Sequence, residues 1–351
     1  MEDADTPHTL LQIPQQQPSV EWLRASQEDV VEQDLPIIDA HHHFSEHWGG
    51  YMPDDLLADG QGHRIDATVY VQCGWRYHSV GADALRPIGE TESVVAVTRE
   101  VNRRQHRTQV AAAIVGYADL CLGAAVEEVL AAHVAAGEGR FRGIRNSGAY
   151  HPTFKHGVLP RPMQGLYRNA DFRRGYAQLA RHGLSFDAWI YHPQLEDVYD
   201  LAVSFPDTTL ILDHIGGVLG VAEYSGQALQ ARDEWLPWIR KLSECPNVYV
   251  KLGGLGTAVF GYNFALQKVP PLSMVLANSW RPWMEPVIEQ FGAKRCMFES
   301  NFPVDRSAAS YGVVWNAFKR LVSGVSMTEK HWLFHHTAAH VYQVTPVLAL
   351  P

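Results

Sequence analysis

From residue 36 onward, short apolar, β-branched runs alternate with longer stretches whose apolar positions recur at helical spacing. Eight runs stand out: PIIDAHH (36–42), ATVYVQC (67–73), VAAAIVGYA (110–118), FRGIR (141–145), LSFDAWIYH (184–192), TTLILDH (208–214), NVYVKLG (247–253) and CMFES (296–300). Most are nearly continuous in apolar residues, as strands buried on both faces of a parallel sheet are. Helical patterns follow at 92–107, 122–136, 165–182, 195–204, 229–244, 279–291 and 310–322. The first connection is the weak one, holding only DDLLADG at 54–60. Asp171, ahead of FRRGYAQLARHG, and Ser326, ahead of MTEKHWLFHHTAAHVY, read as helix starts.

Eight strand–helix units predict an α/β fold closed into a (β/α)8 TIM barrel, one domain over residues 35–345. An open doubly wound sheet is the runner-up, but no GxGxxG opens a helix after the first strand. Residues 1–34 read as a partly disordered N-terminal arm that Trp22 and Leu23 could tie down. A helix at 328–343 is extra to the eight units and is expected to pack on the outside.

Composition narrows the function classes. With 46% hydrophobic and 19% charged residues over 351 positions, a disordered chain is excluded. The net charge of −9, without a basic block, argues against a nucleic-acid partner. No apolar run reaches the roughly 18 residues of a membrane span. The acidic, Gln/Pro-rich start is unlike a signal peptide, so a cytoplasmic protein is expected. Cys73, Cys121, Cys245 and Cys296 form no CxxC pair, which speaks against a disulfide framework or a thiolate zinc site. A small-molecule substrate is the expected partner, and a homo-oligomer is left open.

Active groups of a parallel barrel sit at the C-terminal ends of its strands. Those ends carry His41 and His43, Gln72 and Cys73, Tyr117 and Asp119, Arg145, His192, His214, Lys251, then Glu299 and Asn301. Residues two apart on a strand face the same way, so His41 and His43 could grip one ion while His42 points into the barrel wall. His192 and His214 add imidazoles of the kind zinc, iron or manganese accept. Asp213, next to His214, is expected to face outward. Arg145 could hold a carboxylate through its fork, and Lys251 is a second candidate cation. Glu299 lies one layer below Asn301 and, if buried, needs a cation or donors around it. Trp48, Trp75, Tyr77, Tyr150, Phe260 and Tyr262, in the loops, suggest a ring-shaped or apolar substrate. His331, His335, His336 and His340, in the last helix, form no convincing site. Cys73 shows nothing that would activate it.

The stretches IIDAHHHF, FRGIR, DAWIYHPQL, LILDHIGG, VYVKLGGL and CMFESNFPVD, in this order, resemble the amidohydrolase superfamily. Within it they resemble the lactonase- and decarboxylase-like branch of metal-dependent TIM-barrel hydrolases. The resemblance covers residues 35–343. It implies His41, His43 and His192 as metal ligands and His214 as acid–base or ligand. Glu299, which faces the same way as Asn301 and can ionise, is expected from its position to be a further metal ligand or the proton-moving group. It implies Arg145 as a substrate-carboxylate contact. Tyr117, Trp75 and Lys251 join Arg145 as substrate-binding candidates. Many relatives carry Gly-Ser-Asp-Trp-Pro at strand eight, where this chain has Glu299-Ser300-Asn301-Phe302-Pro303. An amide cannot take a proton from water, so Asn301 is expected to orient water or substrate instead. The implied cofactor is a divalent metal, zinc first, with manganese or iron as alternatives and a metal-free variant also known in the branch. The implied reaction is lactone opening by metal-activated water. Non-oxidative decarboxylation, oxygenation at a two-metal site, and a catalytically inactive binding or partner subunit are the alternatives.

Overall fold

The computed structural model describes residues 11–12, 15, 17–46, 50–104, 107–155 and 162–345. Trp48 and the first ten residues of the arm lie outside them. Eight strands form one all-parallel sheet: β1 Pro36–His42, β2 Arg64–Val71, β3 Gln109–Gly116, β4 Phe141–Ile144, β5 Ser185–Ala188, β6 Leu210–Leu212, β7 Val248–Leu252 and β8 Cys296–Phe298. Each pairs with its neighbours in chain order. The seam between β8 and β1 closes just past the β8 ladder. There His42 bridges Phe302, His43 N donates to Phe302 O at 2.7 Å, and Asn301 N donates to His41 O at 2.8 Å. The expected barrel is therefore present, closed by residues predicted to carry the chemistry.

A helix follows every strand: α1 Pro53–Asp59, α2 Ile88–Arg103, α3 Val126–Ala136, α4 Ala170–Leu179, α5 Leu195–Ser204, α6 Ala228–Ser243, α7 Ser273–Phe291 and α8 Tyr311–Leu321. The weak first connection does hold a helix, begun by Pro53, whose missing N–H costs nothing at that position. The start of α4 is set by Asn169 rather than Asp171. The Asn169 side chain accepts from the backbone N–H of Asp171 and Phe172. Ser326 does cap the last helical segment, in a reciprocal box with Glu329.

That last segment, Met327–Val341, departs from the expected outer position. Ala338, Tyr342 and Val344 pack with Ile38, Val69 and Met297 inside the barrel. Arg142, near the start of β4, donates from Nε to Tyr342 O at 3.0 Å. The segment thus plugs the N-terminal end of the barrel. An apolar stripe of small residues and one tyrosine matches the interior of a narrow barrel, so burial places it there.

The arm runs up the opposite way. Val31 N donates to Asn316 Oδ1, and Lys319 Nζ donates to the carbonyls of Val31 and Glu32 on the flank of α8. Higher up, Ser26 Oγ bonds Pro270 O and Trp22 Nε1 bonds Gln267 O, both in the loop after β7. No helix among the described residues is long and apolar enough to cross a membrane.

Candidate active site and metal centre

The β1 strand aims its histidines through an irregularity. Asp39 is in register with Thr68, but His42 is in register with Tyr70, so β1 carries one extra residue over that interval. Such a bulge re-aims the side chains beyond it. Ile38 and Ala40 face the interior, and so do His41 and His43, while His42 turns outward to Thr68 Oγ1 at 2.8 Å. Asp39 faces the helices and accepts from Ser300 N, Ser300 Oγ and Tyr311 OH, which fixes β1 to the turn after β8.

His41 is wholly buried and central. Its Nε2 is 3.2 Å from His43 Nε2, and its Nδ1 is 2.9 Å from Glu299 Oε2. His43 Nδ1 contacts Val71 O at 2.7 Å. A carbonyl only accepts, so His43 carries its proton on Nδ1. At His41 both nitrogens face cationic donors, Lys251 Nζ at 3.2 Å from Nδ1 and Arg145 Nη1 at 3.3 Å from Nε2. With the His43 proton on Nδ1, its Nε2 carries a lone pair 3.2 Å from His41 Nε2. Burial, then nearby positive charge, holds both imidazoles well below their ordinary pKa. At metal–nitrogen distances of about 2.0–2.1 Å, ligands 3.2 Å apart subtend about 100°, an ordinary coordination angle. Among the described residues, His41, Asp213 and His214 also bring one ligand atom each to within 4.8 Å of one another. Both carboxylate oxygens of buried Asp213 lack a hydrogen bond. The donor set therefore fits a divalent metal.

On the other side of His41 lies a histidine–carboxylate pair. His214 Nδ1 is 2.6 Å from Glu299 Oε1, and His214 N also donates to that oxygen, at 3.2 Å. Among the described residues His214 Nε2 has no hydrogen-bond partner. Burial alone would lower the His214 pKa, but the adjoining Glu299 charge and hydrogen bond outweigh it and hold it above the usual value. Glu299 is fully buried, and the imidazoles of His214 and His41 lie against its carboxylate.

Asp213 faces inward, contrary to the outward position expected from its place beside His214. Its carboxylate lies 3.1 Å from Lys251 Nζ and 3.8 Å from Arg145 Nη1. Ile211 packs in the barrel interior, so Asp213, two residues on, faces the same way, and positive φ at His214 and Ile215, both 51°, lets His214 turn in as well. Lys251 is itself fully buried, bonded to Asp187 Oδ2 at 2.5 Å, and Tyr342 OH reaches the same Asp187 oxygen from below at 2.8 Å. Burial would lower its pKa, but Asp187 and Asp213 hold it above the ordinary value. Its ammonium is thus committed to two carboxylates, 3.2 Å beneath His41 Nδ1.

Arg145 is 4% exposed. One Nη donates to Gln72 O and the other lies 3.3 Å from His41 Nε2. Its fork is thus largely engaged inside the protein. Asn301 donates from Nδ2 to Asp305 Oδ1 at 2.8 Å and to Thr257 Oγ1 at 3.2 Å. Burial pushes Asp305 up to about 7, placing a titrating carboxyl directly behind the amide.

The remaining candidates stand outside this cluster. His192 Nδ1 accepts from Leu219 N at 3.2 Å, which puts its proton on Nε2, 3.8 Å from Glu234. In that tautomer it offers no lone pair to an ion. Tyr117 stacks on Tyr77 at 6.4 Å, and Trp75 packs against Phe44 with its indole N–H buried and unpaired. Burial holds the Cys73 thiol well above its ordinary pKa, so no thiolate forms there. Sequence reasoning missed Asp187, Asp305 and Glu90. The last accepts from Tyr70 OH, Cys73 N and Trp75 N and so fixes the loop after β2. Asp187 and Lys251 had a usable signal: single opposite charges within apolar strand runs need each other.

The family model described as amidohydrolase matches residues 38–344. An uncharacterized protein, y4mH, of Sinorhizobium fredii is 34% identical over 84% of this chain and 86% of its own length. The L-fucono-1,5-lactonase of Burkholderia multivorans is 28% identical over 87% of this chain and 95% of its own. A crystal structure of a Burkholderia multivorans amidohydrolase with bound zinc has a TM-score of 0.65 at 26% identity, covering 88% of this chain and 99% of that one. The chain belongs to the amidohydrolase family.

Proposed function

We propose that this amidohydrolase opens the ring of a small sugar-acid lactone, with His214 as the proton-moving residue and Glu299 as its orienting partner. The observation that carries this reading is the 2.6 Å contact between His214 Nδ1 and Glu299 Oε1, with Nε2 left over. His41, His43 and Asp213 would hold a divalent metal, zinc first. Bound there, that ion supplies carbonyl polarisation and hydroxide near neutral pH.

The chain's own residues do the rest. Glu299 keeps the His214 proton on Nδ1, so Nε2 is the basic nitrogen facing the reaction. Nε2 takes a proton from the attacking water, and Glu299 stabilises the imidazolium that results. The imidazolium then returns the proton to the ring oxygen as the acyl–oxygen bond breaks. Water adds across that bond, giving one carboxylate and one hydroxyl. Arg145, held against Gln72 O, provides a fixed positive field for the developing oxyanion. Asn301, whose Nδ2 is engaged by Asp305 and Thr257, keeps its amide oxygen as an acceptor for a substrate hydroxyl. The names of the lactonase relatives support the choice of substrate class.

Glu299→Gln tests the reading. The amide is nearly the same size, so the fold should survive, while kcat on an aldonolactone panel should fall by about 10²–10⁴, the usual loss for a general acid or base. Near-wild-type turnover in well-folded Glu299→Gln would refute it.

A further inference from the structure

The run Gly253-Gly254-Leu255-Gly256-Thr257, after β7, lies along one side of the site. Its glycines let the backbone touch three site groups in turn. A Cβ would collide with Glu299 at Gly253, with the His214 ring at Gly254 and with Asp305 at Gly256. Asn301 stands against the end of this run, at a φ of 53°, a left-handed conformation in which asparagine is enriched. Its Nδ2 commits both protons, to Asp305 Oδ1 at 2.8 Å and to Thr257 Oγ1 at 3.2 Å. Among the described residues Asn301 Oδ1 has no hydrogen-bond partner, and like His214 Nε2 it is not sealed from solvent.

Asp305 decides which way that amide points. It is 1% exposed, and its Oδ2 accepts from Gly256 N at 3.0 Å. An ionised carboxylate has no proton to give, so its other oxygen can meet only the NH2 side of Asn301. Thr257 makes no such choice, because a hydroxyl rotates to give or to take. The mouth is therefore offered a lone pair and not an N–H. A substrate hydroxyl can answer either one. An ether oxygen, a carbonyl or a fluorine can answer only an N–H.

We propose that Asp305 is a positioning residue which, acting through Asn301, makes the site select lactones with a free hydroxyl at that point and reject those with a non-donating group in its place. This rests on the lactonase reading above and names the substrates within it. An acceptor held facing another acceptor is the kind of polar mismatch that a site discriminates strongly.

Asp305→Asn inverts the arrangement. To keep the Gly256 N–H bonded, the new amide turns its oxygen there and its NH2 toward Asn301. Asn301 must then turn its own oxygen inward and present N–H to the mouth. Adding Asn301→Asp restores an acceptor there, with the net charge unchanged. Aldonolactams, which resist ring opening, and analogues with fluorine replacing one hydroxyl at a time report the difference by calorimetric binding. Measurement at about pH 8 keeps Asp305 ionised, since burial places it at about 7. One fluoro analogue should bind the wild type at least about 10-fold more weakly than its parent lactam. That penalty should shrink at least about 5-fold in Asp305→Asn and return in the doubly exchanged variant.

A wild type that binds lactams with no fluoro penalty at any position overturns the selection while leaving the lactonase reading intact. So does a penalty unchanged in Asp305→Asn. A penalty lost there and not regained on adding Asn301→Asp makes Asp305 merely structural. Should Asp305→Asn alone fail to fold, the wild-type penalty and its presence in the double variant still decide. If the wild type opens no lactone and binds no lactam, the lactonase reading falls and the hydroxyl selection with it. Proton exchange at Asn301 Nδ2, assigned by its loss in Asn301→Asp, then still tests the positioning: it should be at least about 10-fold faster in Asp305→Asn, and equal rates would overturn it.

Discussion

Among the described residues, two places bring imidazole nitrogens to 3.2 Å of each other: His41 with His43 at the mouth, and His335 with His336 at the base. The distances match, but the surroundings do not. At the mouth each ring is held at its second nitrogen, His43 by Val71 O and His41 between Lys251 and Glu299. Charged groups from four further strand ends crowd around them. At the base, His336 is exposed, and His335 has Asp66 at 3.8 Å from its other nitrogen. Strand geometry puts residues two apart on one side of a rigid wall. Neighbours on a helix diverge by about 100°, so their rings meet only at their tips. A close nitrogen pair becomes a ligand pair when the fold has fixed both tautomers.

The sharpest break between the two would come from removing both rings. His41→Ala with His43→Ala should lower kcat/KM by on the order of 10³ or more, since losing outer-shell partners alone typically costs 10–100-fold. It should also abolish stoichiometric metal by elemental analysis. His335→Ala with His336→Ala should leave metal content and kcat/KM within about two-fold. Metal retained by the first variant and lost by the second would reverse the comparison.

The charge beneath the mouth offers a second contrast. Lys251→Met leaves Asp187 and Asp213 buried without their cation, and breaking such a pair typically costs about 3–5 kcal/mol. Tyr342→Phe, which removes only the hydroxyl reaching Asp187 from the base, should cost about 1 kcal/mol. Urea midpoints measure both, and equal losses would show that the Lys251 pairing carries no special weight.

The smallest effect expected is in pH dependence. Burial holds His335 at about 4, against 6.5 in the unfolded chain. The folded state therefore binds fewer protons than the unfolded one between these values. The stability involved is fully present above pH 6.5 and is lost as the pH falls toward 4. Over that window the wild type should lose about 1 kcal/mol relative to His335→Phe, after allowance for solvent reaching the ring. Parallel urea-stability curves for the two proteins would remove His335 from the account.

The barrel was legible because its strands are apolar on both faces and its helices return at regular intervals. His41, His43, His214 and Glu299 were legible as strand-end residues. What escaped the reading lay where periodicity stops. Asp213 shares the inward face of Ile211, and the positive φ at His214 hides this from a count of alternation that starts at the histidine. The place of the last helix was hidden because a stripe that fits a helix layer also fits a barrel interior.

Barrel closure sets a schedule for synthesis. β1 needs Phe302 to complete its edge, and Asp187 takes a proton donor from Tyr342. Roughly 300 residues separate His42 from Tyr342, which at ~10 residues per second is about half a minute on the ribosome. Until Phe302 is made, β1 presents an apolar edge with unpaired amides, the kind of surface that draws stray strands. The nascent chain must be shielded while it waits, and a ribosome stalled before residue 302 would release an open sheet with its site unassembled.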